Sequence, residues 1–281
     1  MAKSSTLEKT PPVSVAEEPR EPSIAEQIDA LTDPSFMTSL ARGLAVVRAF
    51  SDLRGPQTIA QISQKTGIPR AAVRRCLYTL KQLGYVDAEL NNFSLRPKVL
   101  TLGYSYLSST PLTVSAQPCL DQISRKINES TSLAVLDEGE VLYVARSATS
   151  RVMSVALNTG SRLPAYCTSL GRVMLAHLPP DELDAYLERV KLKPMTKNTI
   201  VSQKKLRAVL AQVRQAGFAV NDEELELGLR SIAVPVRGAS GKVLAALNVG
   251  AQAARVSVEQ LEKEFLPVLL RGAQELSVLL P

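Results

Sequence analysis

TIAQISQKTGIPRAAVRRCLYTLKQLGYV, residues 58–86, decides the N-terminal fold. Thr58 is placed to cap a helix carrying Ile59, Ile62 and Ser63, and Gly67 stops it. Pro69 suits the first turn of a second helix that runs on to Gly84. Helix, short glycine turn, helix is a helix-turn-helix outline. At about 100° per residue, Arg70, Arg74, Tyr78 and Lys81 share an arc of roughly 80°, with Arg75 near 140°. Ala72, Val73, Cys76, Leu77, Leu80 and Leu83 fill the opposite side. One face is cationic and the other is core.

Working outward, MTSLARGLAVVRAF (37–50) spaces Leu40, Leu44, Val47 and Phe50 as a helix that precedes this pair. YVDAELNNFSLRP (85–97) alternates apolar and polar residues around Asn91-Asn92, which predicts a β-hairpin wing turning at that dipeptide. Residues 35–110 carry ten Lys/Arg against three Asp/Glu, net +7, whereas residues 111–281 are net +3 and residues 1–34 net −4. The competing reading of the cationic helix face is an ordinary solvated one. The glycine turn, the wing and the local charge favour double-stranded DNA. On that reading Arg70, Arg74 and Arg75 supply planar donors for guanine or phosphate, and Lys65, Lys81, Arg96 and Lys98 are backbone contacts. Thr58, Pro69, Ala71 and Tyr78 complete the expected DNA-binding set.

Residues 1–34 hold five of the seventeen prolines and read as a disordered acidic leader, with Ile24, Ile28 and Leu31 able to form a short helix. Residues 35–98 are the winged helix-turn-helix, and 99–111, with Val99, Leu100, Leu102, Tyr104, Tyr106 and Leu107, form a connecting helix too apolar to stand alone. A partner chain is expected to cover it. Residues 112–281 interleave helices with β-rich runs: LAVLDEG (133–139), EVLYVARSA (140–148), RVMSVAL (151–157), SIAVPVRG (231–238) and KVLAALNVG (242–250). Helices are expected over 182–190, 203–217 and 257–280. The fold class is α+β: a winged helix-turn-helix, a connecting helix, and a mixed α/β effector-binding domain.

Hydrophobic residues make up 45% of the 281 and charged residues 21%, so the chain is globular. No apolar run of about 18 residues and no signal-peptide h-region is present, so a cytoplasmic protein that does not span a membrane is expected. Cys76, Cys119 and Cys167 lack metal or disulfide spacing, and His177 is the single histidine, which disfavours a metal, a cofactor and most catalysis. Cys76 reads as packing. GASGK (238–242) fits neither a nucleophile elbow nor a phosphate-binding loop. The acidic DEELE run (222–226) reads as a turn and a solvated helix start.

The C-terminal half also offers an anion cradle. Gly160, Pro164 and Cys167-Thr168-Ser169 lead into SLGRVMLAHL (169–178), so amides and hydroxyls converge at a helix start, where simple capping by Thr168 or Ser169 is the alternative. Arg146 follows an apolar strand and needs a carboxylate from a ligand or from Asp137 or Glu140. Arg230, Ser231 and Asn248 interrupt other apolar strands, as the few polar contacts of a small-molecule pocket do. For an organic acid, Arg146, Arg230, Thr168, Ser169, Ser231 and Asn248 would supply polar contacts, and Leu170 or Met153 would meet an aromatic ring.

Residues 37–50, 58–86 and 98–112 together resemble the DNA-binding domain and linker of the IclR family of bacterial transcription regulators, closest to its PcaR subgroup of protocatechuate/β-ketoadipate catabolism. GSRLPAYCTSLGRVMLA (160–176), NDEELELGLRSIAVPV (221–236) and GKVLAALNV (241–249) are similar to the family's effector-domain motifs. The resemblance implies a GAF-like effector domain, promoter DNA as partner, a homodimer or tetramer, and an effector that is β-ketoadipate or an aromatic acid. Its ligand contacts correspond here to Ser169, Leu170, Asn221, Ser231, Asn248 and Gly250. RNA polymerase is a further partner compatible with such a role. The alternatives are a regulator of another route such as 4-hydroxybenzoate, an enzyme acting on such an acid, and an architectural DNA binder that ignores ligands. No cofactor is expected.

Overall fold

The computed structural model describes residues 22–51, 55–149, 157–278 and 280. The chain forms two compact units that divide between Gly103 and Tyr104, inside the expected connecting helix. In the first unit, α1 (Ile24–Asp29) and α2 (Thr38–Arg48) precede β1 (Gln57–Thr58), α3 (Ile59–Thr66), α4 (Arg70–Gln82), β2 (Val86–Glu89) and β3 (Asn92–Leu95). The three strands form one antiparallel sheet in the order β1-β3-β2. This is a winged helix-turn-helix, with Thr58 capping α3 in a reciprocal box with Gln61 and Gly67 ending it at φ 73°.

Three expectations need correction here. The leader is not disordered as far as residue 34, because the short helix allowed for it forms at Ile24–Asp29. Ser23 and Glu26 form a capping box for α1, whose Ala25 and Ile28 are buried in the first unit's core. A cap plus two apolar residues three apart suffices to dock one short helix, whatever the surrounding composition. On α2 the buried residues are Ala45 and Val46, with Ala49 buried at its C-cap, while Leu40 and Leu44 stay exposed. The helix buries that shorter stripe in the core of the unit, and of the larger apolar residues Phe50 packs against it. The wing turns at Leu90-Asn91, one residue earlier than expected, because Asn92 already pairs with Glu89. Leu90 occupies the left-handed region at φ 55° and is 95% exposed at the wing tip.

A 3₁₀ turn (Pro97–Val99) leads into α5 (Leu100–Ser109), the connecting helix. The second unit then runs α6 (Pro111–Ile127), β4 (Ser130–Asp137), β5 (Glu140–Ser147), β6 (Arg162–Pro164), a 3₁₀ turn (Ala165–Cys167) and α7 (Ser169–Ala176). After α8 (Pro180–Arg189) and α9 (Gln203–Ala216) come β7 (Ala219–Asp222), β8 (Leu229–Arg237) and β9 (Val243–Gln252). The chain closes with α10 (Val258–Gln260), a π turn (Leu261–Phe265) and α11 (Leu266–Val278). The expected strand over 151–157 falls almost wholly outside the described residues.

The six strands are antiparallel in the order β6-β5-β4-β9-β8-β7. Strand alternation splits the core in two. Leu133, Ile232, Val234, Leu247 and Val249 face α6 and α11. Ala134, Ala233 and Ala246 face α7 and α9. Alanines on that second face let α7 lie close to the sheet, and every residue of α7 is buried. Among the described residues no helix is long and apolar enough to cross a membrane.

Gly171 of α7 lies where a Cβ would sit 2.2 Å from the Ala165 carbonyl oxygen, a backbone atom with nowhere to go. Gly171→Ala is expected to destabilise the protein by about 3 kcal/mol, seen as a lower chemical-denaturation midpoint.

Candidate functional site

The cationic face of α4 is solvent-exposed along its length. Pro69, Arg70, Ala71, Arg74, Arg75 and Lys81 are exposed, and Tyr78 among them is 65% exposed. Arg70, Arg74, Arg75 and Lys81 make no ion pair within the described residues, so their charge is left for an external anion. Arg96, at the base of the wing, is exposed as well. Other expected contacts are engaged inside the unit. Thr58 serves as the cap of α3, and Lys65 donates from Nζ to the Ala49 carbonyl at 2.8 Å. Lys98 donates to the Leu83 carbonyl at 2.9 Å and lies 5.1 Å from the centre of the Tyr85 ring.

In the second unit a cavity of about 420 Å³, counting its open mouth, lies on the α7 side of the sheet. Its lining joins Arg146, Thr168, Ser169, Asn221, Ser231, Asn248 and Gly250, residues from five strands and helices that are up to about a hundred positions apart. Sheet register explains the convergence. Arg146 pairs with Ser132, and Ser132 with Asn248, in one row; Asn221 pairs with Ser231, and Ser231 with Gly250, in the next. The N-terminus of α7 closes the cavity from above. Thr168 caps that helix through the Gly171 amide at 3.1 Å, and Ser169 Oγ lies 2.8 Å from Ser231 Oγ. Thr168 is thus a helix cap and a lining residue of the cavity at once.

Arg146 donates from Nη1 to Ser132 Oγ at 3.0 Å, but its buried Nε has no partner among the described residues, and neither has the buried Asn248 Oδ1. Burial holds the Arg146 guanidinium below its usual pKa and pushes the neighbouring Tyr143 phenol up to about 12, so the arginine is the cation of the cavity and the tyrosine stays neutral. Asp137 and Glu140, the protein carboxylates expected to serve Arg146, both pair with Arg162 at 2.6 Å. A buried donor with no protein acceptor, on a side chain that lines a cavity, is suited to an anionic ligand.

Other expected residues lie elsewhere. Arg230 is turned away from the cavity, binding Asp222 at 2.6 Å and the carbonyl of Val256 at 2.6 Å. Alternation puts it on the sheet face opposite Ser231. Leu170 is fully buried in the core beneath α7 rather than lining the cavity, and Met153 lies outside the described residues. Tyr143, Leu157, Leu225 and Leu229, which sequence reasoning passed over, supply the apolar wall. Tyr143 alone carried a signal, standing three residues before Arg146 on an apolar strand. The DEELE run forms a turn, not a helix start, and Glu224 within it is buried against Arg172.

Residues 39–89 match the IclR helix-turn-helix domain, and residues 104–278 match the bacterial transcriptional regulator IclR C-terminal domain. The chain belongs to the IclR family. The Pca regulon regulatory protein of Pseudomonas putida is 55% identical over 254 residues, 90% of this chain and 87% of that protein. The p-hydroxybenzoate hydroxylase transcriptional activator of Acinetobacter baylyi is 40% identical over 246 residues, 86% of this chain and 91% of the relative. A transcriptional regulator of Rhodococcus sp. RHA1 has a similar structure, with TM-score 0.78 at 48% identity over 87% of this chain and 98% of that one. An IclR homolog from Microbacterium hydrocarbonoxydans complexed with 4-hydroxybenzoate gives TM-score 0.73 at 25% identity, covering 86% of this chain and 98% of that one.

This IclR-family chain is a transcriptional regulator and not an enzyme. Cys167 donates weakly to the Pro164 carbonyl at 3.8 Å, and burial pushes its thiol up to about 11, far from a thiolate nucleophile. His177 is occupied elsewhere: Nδ1 donates to the Val173 carbonyl at 2.8 Å, leaving Nε2 to accept from Arg237 Nη2 at 2.9 Å. Burial lowers the His177 pKa, and the imidazole stays neutral. Among the described residues no group of three or more His, Cys, Asp or Glu could hold a metal ion.

Burial raises the Cys119 thiol to about 11 as well. The unfolded chain releases both thiol protons from about pH 9 while the fold retains them, so stability should fall as pH rises from about 9 to about 11. Denaturation across that range is expected to show less decline in a Cys119→Ala, Cys167→Ala double variant.

Proposed function

We propose that the chain is a ligand-responsive regulator of aromatic-acid catabolism on the protocatechuate/β-ketoadipate route. It binds promoter DNA through α4 and the wing and binds an organic acid around Arg146. The observation that carries the effector reading is the unpartnered, buried edge of the Arg146 guanidinium in a cavity that also holds Asn248, Ser169 and Ser231. The 55% identity to a Pca regulon regulator supports the choice of pathway. A 4-hydroxybenzoate response is the second reading, favoured by the 40% identical hydroxylase activator and by the homolog complexed with that acid. A dicarboxylate would place one end on Arg146 and the other at the start of α7; an aromatic monocarboxylate would use Arg146 and lay its ring against Leu225 and Leu229. The protein would act in the cytoplasm, with RNA polymerase as a further partner.

On DNA, Arg70, Arg74 and Arg75 would reach base edges or phosphates, and Lys81 and Arg96 phosphates, with Tyr78 and Ala71 packing beside them. The test compares full-length wild type with Arg74→Ala, Arg75→Ala and Arg146→Ala. Calorimetry would use β-ketoadipate, protocatechuate and 4-hydroxybenzoate, and binding to a promoter fragment would be measured alongside. Loss of a base-reading arginine should weaken DNA binding by about 1–3 kcal/mol. Arg146→Ala should lose effector binding by about tenfold or more with DNA affinity preserved. Unchanged effector affinity in Arg146→Ala would overturn the pocket assignment, and the acid that wild type binds decides between the two pathways.

Self-association as a homodimer or tetramer is part of the same proposal. On α5, Leu100 is 71% and Tyr104 67% exposed, and Leu102 and Tyr106 are exposed too. Apolar side chains around more than one face of a helix call for a covering partner. Sedimentation at micromolar concentration should show a dimer or larger species, with Leu100→Ser, Tyr104→Ser shifting it toward monomer. A monomeric wild type would contradict this.

A further inference from the structure

Two walls of the cavity are joined by a buried ion pair that touches neither the cavity nor the sheet row beneath it. Arg172, three residues after Ser169 on α7, donates from Nη1 and Nη2 to the two carboxylate oxygens of Glu224, both at 2.5 Å. Its Nε donates to the Tyr166 carbonyl at 3.0 Å. Glu224 opens the turn that carries Leu225 and leads to Leu229, so one wall hangs on α7 and the other on Glu224.

The turn is held harder than a surface loop requires. Glu223 sits in the left-handed region at φ 57°, a conformation that costs a non-glycine residue free energy and survives only where the surroundings over-determine it. Those surroundings are visible. Thr196 Oγ1 donates to the Glu223 carbonyl at 2.7 Å, Thr199 Oγ1 to the Glu224 carbonyl at 2.6 Å, and the Ile200 amide to Glu224 Oε2 at 3.2 Å. The Gly228 amide donates to Glu223 Oε2 at 2.8 Å and closes the turn on itself. A second tie, Asn221 Nδ2 to the Cys167 carbonyl at 2.8 Å, runs parallel to the ion pair.

We propose that Arg172 and Glu224 are positioning residues of the effector cavity, setting the separation between the α7 wall and the Leu225–Leu229 wall. Buried ion pairs contribute little net stability compared with apolar residues of the same size, whereas a bidentate guanidinium–carboxylate fork fixes distance and orientation together. Burial alone would be served equally well by two apolar side chains, but the spacing of the walls would not. The inference rests on the effector reading given above and adds to it a pair that never contacts the ligand.

The test uses the full chain, with β-ketoadipate, protocatechuate and 4-hydroxybenzoate as calorimetric probes. Thermal unfolding and promoter-DNA affinity without effector are measured in parallel. Arg172→Lys keeps the charge but loses the planar fork. It is expected to fold, to bind DNA as wild type does, and to bind the wild-type effector about tenfold or more weakly. The double variant R172M/E224L is expected to keep a wild-type thermal midpoint while binding the effector about tenfold or more weakly, a split that a purely stabilising pair would not produce. Wild-type effector affinity in either variant overturns the inference while leaving the effector reading intact. Failure of both variants to fold would make the pair a requirement of the fold and overturn it too. Wild type that binds none of the three probes would overturn the effector reading and this inference with it.

Discussion

The sheet of the second unit is covered on both faces, and the meaning of its polar residues follows from that. On a sheet with one wet face, Arg146, Ser132 and Asn248 would be ordinary solvated side chains. With α6 and α11 on one face and α7 and α9 on the other, a polar group in the central strands must find a partner or bear the cost of desolvation. Most do. Ser231 has Ser169, Asn221 has the Cys167 carbonyl, and Thr131 has the Leu120 carbonyl. The exceptions among the described residues include Arg146 Nε and Asn248 Oδ1, both on side chains that line the same cavity.

What leaves Arg146 over is its distance along the strand from the carboxylates of the hairpin. The hairpin between β4 and β5 turns tightly through Glu138 and Gly139, both left-handed, and so holds Asp137 and Glu140 side by side. Arg162, from the adjoining edge strand, takes both carboxylates. Arg146, on the same strand as Glu140 but at its far end, is left with a serine.

That separation also marks where the sequence stops being legible. Local signals were sufficient for the helix-turn-helix, since a cap at Thr58, a stop at Gly67 and the period of α4 are properties of neighbouring residues. The polar interruptions at Arg146, Ser231 and Asn248 were legible because they break apolar runs. Arg230 breaks one just as visibly, yet it is consumed by Asp222 and two carbonyls, and only strand register separates it from Ser231. Arg172 carries no local signal at all: nothing in SLGRVMLAHL marks it as buried, and its carboxylate partner comes from an acidic run that reads as solvated. β1, at two residues, is too short to carry any period.

Thr58 ends β1 and is at the same time the cap of α3, with no residue between the two roles. Because β1 pairs with β3, the wing is stitched to the helix that leads into α4 by one backbone ladder and one capping box. Wing and α4 therefore behave as a gauge of fixed width. An effector bound in the other unit has little scope to alter how a single reading head fits its half-site. In the proposed dimer, what remains open to regulation is the phasing of one head against another along the duplex.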